Sequence, residues 1–312
     1  MSYRFSQQDA CVERALRRIA TEQVDVALGA IAQGRADPAL ADHAVHEVRK
    51  SCKKVRALLR LGQPALADYG DADACFAGLA RGLSGSRDAR VVMASFERLT
   101  ARLKGGGPDL ELSALCQSLK AGVGLPYPSS AEGGAGPPQV LHALDEAAGR
   151  LEAARDQIAG WNLSLTGWEA LGPGLAKTLA KATRARDALV RKPGARARHD
   201  LRKHLKYNWY HTRLLAPLWP GPFRARAASL AQVTEDLGEH HDLFVLCGHV
   251  RDAASKGKRG CREAADYVLR RAARRQRKLE RRVDPEIARL LVRKPVGLAR
   301  DWGRLWSIAM DR

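Results

Sequence analysis

Along this chain apolar residues recur at steps of three and four, and β-branched residues never cluster in alternating runs. That period fits the helical turn and not the two-residue repeat of a strand, so an all-α chain is expected. The pattern predicts helices near 8–33, 40–61, 72–102, 109–120, 138–160, 172–191, 197–215, 222–255, 260–282 and 285–310. Proline and glycine punctuate them at Gly34–Pro38, Gly62–Pro64, Gly172–Gly174, Pro193–Gly194 and Pro217–Pro222. The largest interruption, Ala121–Pro138 (AGVGLPYPSSAEGGAGPP), is rich in Gly, Pro and Ser and predicts a surface loop or linker. It sets a first helical half, residues 1–120, apart from a second, residues 139–312.

The two halves repeat a pattern. HEVRKSCKKVRALLRL begins at His46 and HDLRKHLKYNWYHTRLL at His199. At one constant offset His46 matches His199, Arg49 matches Arg202, Lys50 matches Lys203, Lys53 matches Lys206 and Arg60 matches Arg213. About forty residues after each His comes a second match, LSGSRDARV from Leu83 and LGEHHDLFV from Leu237, shifted by one residue. Order and spacing recur together, which points to a duplicated helical unit.

From His46 the positions of Arg49, Lys50, Lys53 and Arg60 lie three, four, seven and fourteen residues on. Such steps share one helix face. Val45, Val48, Cys52, Val55, Leu58 and Leu59 fall mainly on another. The second copy sets Leu201, Leu205, Trp209 and Leu215 against its own basic stripe. The plain meaning of a charge run is a solvated helix face. Exposed helices usually mix signs, however, and Arg49–Lys53 and Arg202–Lys206 stack like charges at i and i+4, which is unfavourable. Only Glu47 and Asp200 stand ready to pair, with Lys50 and Lys203. A mildly destabilising pattern present twice favours an anionic ligand.

Composition agrees. Lys and Arg total 53 against 34 Asp and Glu, a formal charge of +19. Such an excess raises self-repulsion and calls for a polyanionic partner. Seven residues of helix span about 10 Å, so each stripe follows an extended anion and not a single phosphate. Arg, Lys and His together suit dense phosphate charge. Aromatic residues make up 5%, few for gripping single strands by base stacking. Helix-turn-helix and zinc-finger spacings are lacking. If His46 and His199 donate as imidazolium, binding should weaken above neutral pH.

At these residues the chain resembles the CHAD family, the conserved histidine α-helical domain, over nearly its whole length. The resemblance rests on the two HxxRKxxK stretches, on LGEHHD at Leu237–Asp242 and on GLAKTLAKATRARDAL at Gly174–Leu189. It implies a single domain over 1–312, with two pseudo-twofold-related bundles whose His-bearing helices line a central basic channel or groove. It further implies a stand-alone protein that binds inorganic polyphosphate without chemistry or cofactor, in the cytoplasm and on polyphosphate granules. By position, His46, Arg49, Lys50, Lys53, His199, Arg202, Lys203 and Lys206 would contact the polymer, with Lys177, Lys181 and Arg184 flanking it. Arg56, Arg60 and, by the repeat, Arg213 extend the stripes, and His240 caps or lines the site. The second copy departs from the first, with Tyr207, Asn208 and Trp209 where the first has Lys54, Val55 and Arg56.

Two rivals share some features. Glu239, His240, His241 and Asp242, together with His199 and Asp200, invite a metal-dependent phosphohydrolase, but the matching segment offers Ser86-Arg87-Asp88, and an Arg repels a metal. A helical nucleic-acid-binding protein shares the charge and would carry it on an exposed convex surface. The Arg-rich stretch Arg270–Arg282 is expected to be an exposed face or secondary patch, and Trp302 and Trp306 to pack a terminal helix. No run of eighteen apolar residues predicts a membrane span, and the N-terminal residues lack the apolar core of a signal peptide. Six scattered cysteines without a CxxC pair fit buried thiols in a reducing compartment.

Overall fold

In a computed structural model, described for residues 3–83, 87–101, 112–122, 138–256 and 259–310, the chain is all-α. The helices are α1 (Val12–Ala36), α2 (Ala41–Gly62), α3 (Tyr69–Gly82), α4 (Arg87–Thr100), α5 (Leu112–Gly122), α6 (Pro138–Ala159), α7 (Gly172–Arg191), α8 (Ala195–Leu214), α9 (Pro220–Lys256), α10 (Arg259–Leu290) and α11 (Pro295–Met310). Among the described residues none forms a strand, and one isolated bridge joins Leu66 to Leu163. Most of the expected linker, residues 123–137, lies outside the described residues.

Amphipathic helices bury their apolar stripes in a few contiguous clusters. The largest joins α1, α2, α3, α6 and α7 to the end of α8 and to α11. It takes in Val45, Val48, Cys52, Val55, Leu58 and Leu59, the apolar side expected for the first basic helix. A second cluster unites α7, α8, α9 and α10 through Leu201, Leu205, Leu230, Val233 and Leu237. A third sets α4 and α5 on the far reach of α9 and α10. So the last two helices of the first half rest on the long hairpin of the second. Trp302 and Trp306 are buried, Trp302 against Phe223 and Trp306 against Phe5 and Trp168.

Two boundaries differ from the pattern. The single helix expected over 72–102 is two, α3 and α4, with residues 84–86 between them outside the described residues. The break expected near 283 does not occur, because α10 runs on through Pro285 to Leu290, and the helix expected over 285–310 breaks instead between Leu290 and Pro295, where α11 begins. A helix-interior proline loses one hydrogen bond and crowds the preceding turn. Here Val283, Ile287 and Leu290 are buried on both sides of it, and Asp284 is held by Arg198. Burial on either flank offsets the lost bond. Nor are all the thiols buried: Cys11 is exposed, and Cys75 and Cys116 are partly so.

The contact between α7 and α2 depends on a glycine. A Cβ on Gly174 would stand 2.0 Å from the Leu61 carbonyl oxygen and 2.7 Å from that of Arg60. Gly149, exposed on α6, has open space in the same position. Gly174→Ala is therefore expected to destabilise by about 2 kcal/mol or more, through forced separation of two backbones. Gly149→Ala should stabilise by roughly 0.5–1 kcal/mol. Thermal unfolding of both variants checks the pair, and equal melting temperatures would contradict the close approach.

Candidate functional site

The two matched arginines make the same kind of contact. Arg49 on α2 donates from Nη1 to the Ala80 carbonyl oxygen near the end of α3, at 2.8 Å. Arg202 on α8 donates from Nε to the Thr234 carbonyl oxygen on α9, at 3.0 Å. Ala80 and Thr234 stand at the same distance before Leu83 and Leu237 of the second repeat motif. Each arginine thus ties its His-bearing helix to the following helical segment. Gly238 makes this possible on α9, since a Cβ there would lie 3.0 Å from Arg202 Nη2.

Where α2 meets α8, His211 is fully buried and its Nε2 lies 2.8 Å from the Ala57 carbonyl oxygen. A carbonyl only accepts, so Nε2 carries the hydrogen. Burial pushes this imidazole down to about 4. One turn away the Arg60 guanidinium lies over the Tyr207 ring at 4.5 Å. Arg56 forks onto Asp73 of α3 at 2.9 and 3.0 Å, and Arg60 reaches the same carboxylate at 3.3 Å. Arg56 and Arg60 therefore share one counter-ion.

Helix α7 packs on both α2 and α8 and brings its own cations to this junction. Lys177 and Arg184 are exposed, and Lys181 is half-buried between them. Burial, then Arg60, Lys177 and Arg184, hold the Lys181 ammonium below its usual range, with Asp73 opposing. His204 on α8 is lowered by burial and then by Lys181 and Lys203. Arg60, Lys177 and Arg184 thus gather about Lys181 with His204 beside it, and Asp73 is the carboxylate that faces Arg60 and Lys181.

The basic surface continues along α8. Lys203, ion-paired to Asp200 at 2.7 Å, depresses both His204 and His199 and so links the junction to the start of the stripe. Toward the other end, Lys206 Nζ lies 3.7 Å from the Trp209 ring centroid, and Arg213 lies 4.8 Å from the same ring. Burial, then Arg202 and Arg213, pull the Lys206 ammonium down to about 8. On α2, Lys54 donates to Gln23 Oε1 at 2.7 Å and is lowered by burial, then by Lys50 and Arg213. Lys50 itself pairs with Glu47 at 3.0 Å, while His46 and Lys53 are exposed on the same helix. Expected residues thus fall into two groups, Arg60, Lys177, Lys181, Arg184 and Lys203 near His204, and Lys50, Arg202, Lys206 and Arg213 near Lys54 and Trp209. Lys54, His204 and Tyr207 belong to these groups without having been singled out by motif.

Three histidines and an arginine need separate placing. The His199 ring stacks on that of His241 with centroids 4.1 Å apart. Burial, His241, Lys203 and Arg202 lower the His199 pKa from its ordinary 6.5, so its imidazolium belongs to the acid side of neutrality. His240 is buried, with Nε2 3.0 Å from Glu280 Oε1, and burial lowers it too. This gives His240 a partner inside the fold. Arg198 was not singled out, yet it is buried and held by Glu280 at 3.2 Å and Asp284 at 2.7 Å, fixing α8 to α10. Its signal was its place on the side of Leu201 and Leu205, three and seven residues on. Glu239 turns to Arg275, His240 to Glu280 and His241 to His199, so these three side chains of the supposed metal motif diverge, and of its residues His199 and His241 meet ring on ring. Among the described residues no three His, Cys, Asp or Glu side chains form a metal-binding group, and no helix is long and apolar enough to cross a membrane.

The model of the CHAD domain matches residues 18–251, three quarters of the chain and both basic helices. No curated protein matches. Among solved structures, PptA from Streptomyces chartreusis shares the fold with a TM-score of 0.59, over 89% of this chain and 98% of its own, at 17% identity. With the family model spanning both His-bearing stripes and the α7 helix between them, this chain belongs to the CHAD domain family.

Proposed function

We propose that this protein binds inorganic polyphosphate along the joined basic faces of α2, α7 and α8, and does not turn it over. The observation that carries this reading is the gathering of Arg60, Lys177, Arg184 and His204 about Lys181, at a junction where Asp73 is already engaged by Arg56 and Arg60. Like charges held this close repel, and a phosphate polymer relieves that repulsion along its whole length. The family, known to bind polyphosphate, supports the same ligand. A flexible chain can step with the cations from α8 onto α7 and α2, whereas a duplex offers its phosphates on a stiff cylinder.

Binding without turnover is the reading that the carboxylates favour. Asp73, Asp200 and Glu47 beside the basic residues are engaged by Arg56, Lys203 and Lys50, and Glu235 stands beside Lys206. A general base needs a carboxylate free to take a proton. The proposed contacts are the expected set on α2, α7 and α8, with Lys54 and His204 added. His240 is left out because its ring is turned to Glu280. Attachment to polyphosphate granules is the cellular form that we assign to this binding.

Long-chain polyphosphate titrated at near-physiological salt should bind at least about tenfold tighter than duplex DNA of equal charge. Lys181→Ala combined with Arg184→Ala should weaken polyphosphate binding by about tenfold or more, since charge-assisted hydrogen bonds contribute about 1.5–3 kcal/mol each. Equal affinity for the two polymers, or no loss in the double variant, would overturn the reading.

The pH profile tests Lys206 separately. An ammonium lowered to about 8 is charged at pH 7 and neutral a unit or so above 8. Affinity is therefore expected to fall as pH rises past about 8, and Lys206→Arg should flatten that step. His199, lowered in the free protein, gains charge only on acidification, so its contribution should appear below pH 6.5. Isothermal titration across the range reads both steps.

A further inference from the structure

Helix α10 carries a basic stripe of its own. Arg271, Arg274, Arg275 and Lys278 lie three, four and seven residues apart, the same steps as on α2 and α8. They border an open cleft of about 570 Å³ between α4, α9 and α10. Arg98 of α4 faces them across a floor that includes Leu99 and Leu243. The one carboxylate lining the cleft, Glu239, is taken by Arg275 through a fork of two 2.6 Å hydrogen bonds.

The other cations are oriented by neutral groups. Arg98 donates to Ser95 Oγ at 3.1 Å, and Ser95 is itself buried. Arg271 donates to the Tyr267 hydroxyl at 2.9 Å. Arg274 and Lys278 are exposed and have no carboxylate within ion-pair distance among the described residues. Neutral anchors orient Arg98 and Arg271 without an ion pair, and the cleft's one carboxylate, forked by Arg275 and also acted on by Arg98, is outnumbered by five cations. An ordinary solvated face would also mix signs along the stripe, and this one does not between Arg271 and Lys278.

We infer that this cleft is a second anion site, separate from the α2, α7 and α8 field, and that it takes a short run of linked phosphoryl groups. The stripe spans about 10 Å, longer than one phosphate, and the arginine forks match phosphoryl oxygens. It lies on a different side of α9, where Glu239 and Leu243 face α4 and α10 while Gly238 and His241 face α8. Its ligand class rests on the polyphosphate reading; its location does not.

Inorganic triphosphate, titrated calorimetrically into the full chain, tests the cleft directly. The unmodified protein should bind triphosphate at two separable sites. Arg274→Gln with Lys278→Gln, both exposed and outside the core, should remove one site and leave the other at its original affinity. Lys181→Ala with Arg184→Ala should do the reverse. If the cleft variant keeps the full stoichiometry, the second site is refuted, whatever the α7 variant does. If only the cleft variant loses a site, the α2, α7 and α8 reading fails and the cleft stands. Equal binding of a short polyglutamate of matched charge at the cleft would refute its phosphate class. Circular dichroism of each variant confirms that the helices persist.

Discussion

Repulsion among like charges is the constraint around which the basic half of this structure is organised. Helices α2, α7 and α8 have apolar sides that must be buried, and burying them turns their cationic sides toward a common region. The hydrophobic effect supplies the force and electrostatics resists it. The resistance shows in the ammonium groups of Lys54, Lys181 and Lys206, all held below their ordinary range by burial and by neighbouring cations. A protein optimised only for stability would have placed acidic residues there. Keeping Asp73 as the shared counter-ion of Arg56 and Arg60 leaves the field strongly positive.

The arginines divide into two kinds according to what receives their donors. Arg198, Arg282 and Arg56 meet carboxylates on neighbouring elements and fasten one helix to another. Arg226 is mostly buried, lies 3.1 Å from the Leu290 carbonyl oxygen at the end of α10, and is drawn down to about 10 by burial. Arg49 and Arg202 likewise donate to backbone oxygens, which helps to set the direction of each guanidinium. That second kind recurs at matched positions in the two halves. It helps to fix the spacing of the basic helices.

Much of this was legible before the fold, and the reasons for the remainder are physical. The stripes on α2 and α8 could be read because helical steps of three, four and seven put their own residues on one face. His204 and Lys54 could not, because their surroundings come from α7 and α1, on other elements. His240 looked like a site residue because a His pair is conspicuous in sequence; its burial against Glu280 depends on α10, forty residues on. The break expected between residues 282 and 285 does not form, because tertiary burial of Val283 and Ile287 carries the helix through Pro285. The Arg-rich run of α10 reads in sequence as an exposed face or secondary patch, while Arg98, which lines the same cleft, comes from α4 in the other half and gives no signal there.

Tyr3 and Phe5 pack into the same cluster as Trp302 and Trp306, with Phe5 edge-on to Trp306 at 5.5 Å and its amide bonded to the Leu214 carbonyl. Gln7 donates to the Ala309 carbonyl oxygen in the last turn of α11. The largest core therefore cannot close until α11 has left the ribosome. Contacts of such long sequence separation form late, and the apolar faces of α1 and α2 wait exposed in the meantime. The nascent chain carries its basic helices through the same interval. Their cationic faces are then in solution before the core that positions them has closed.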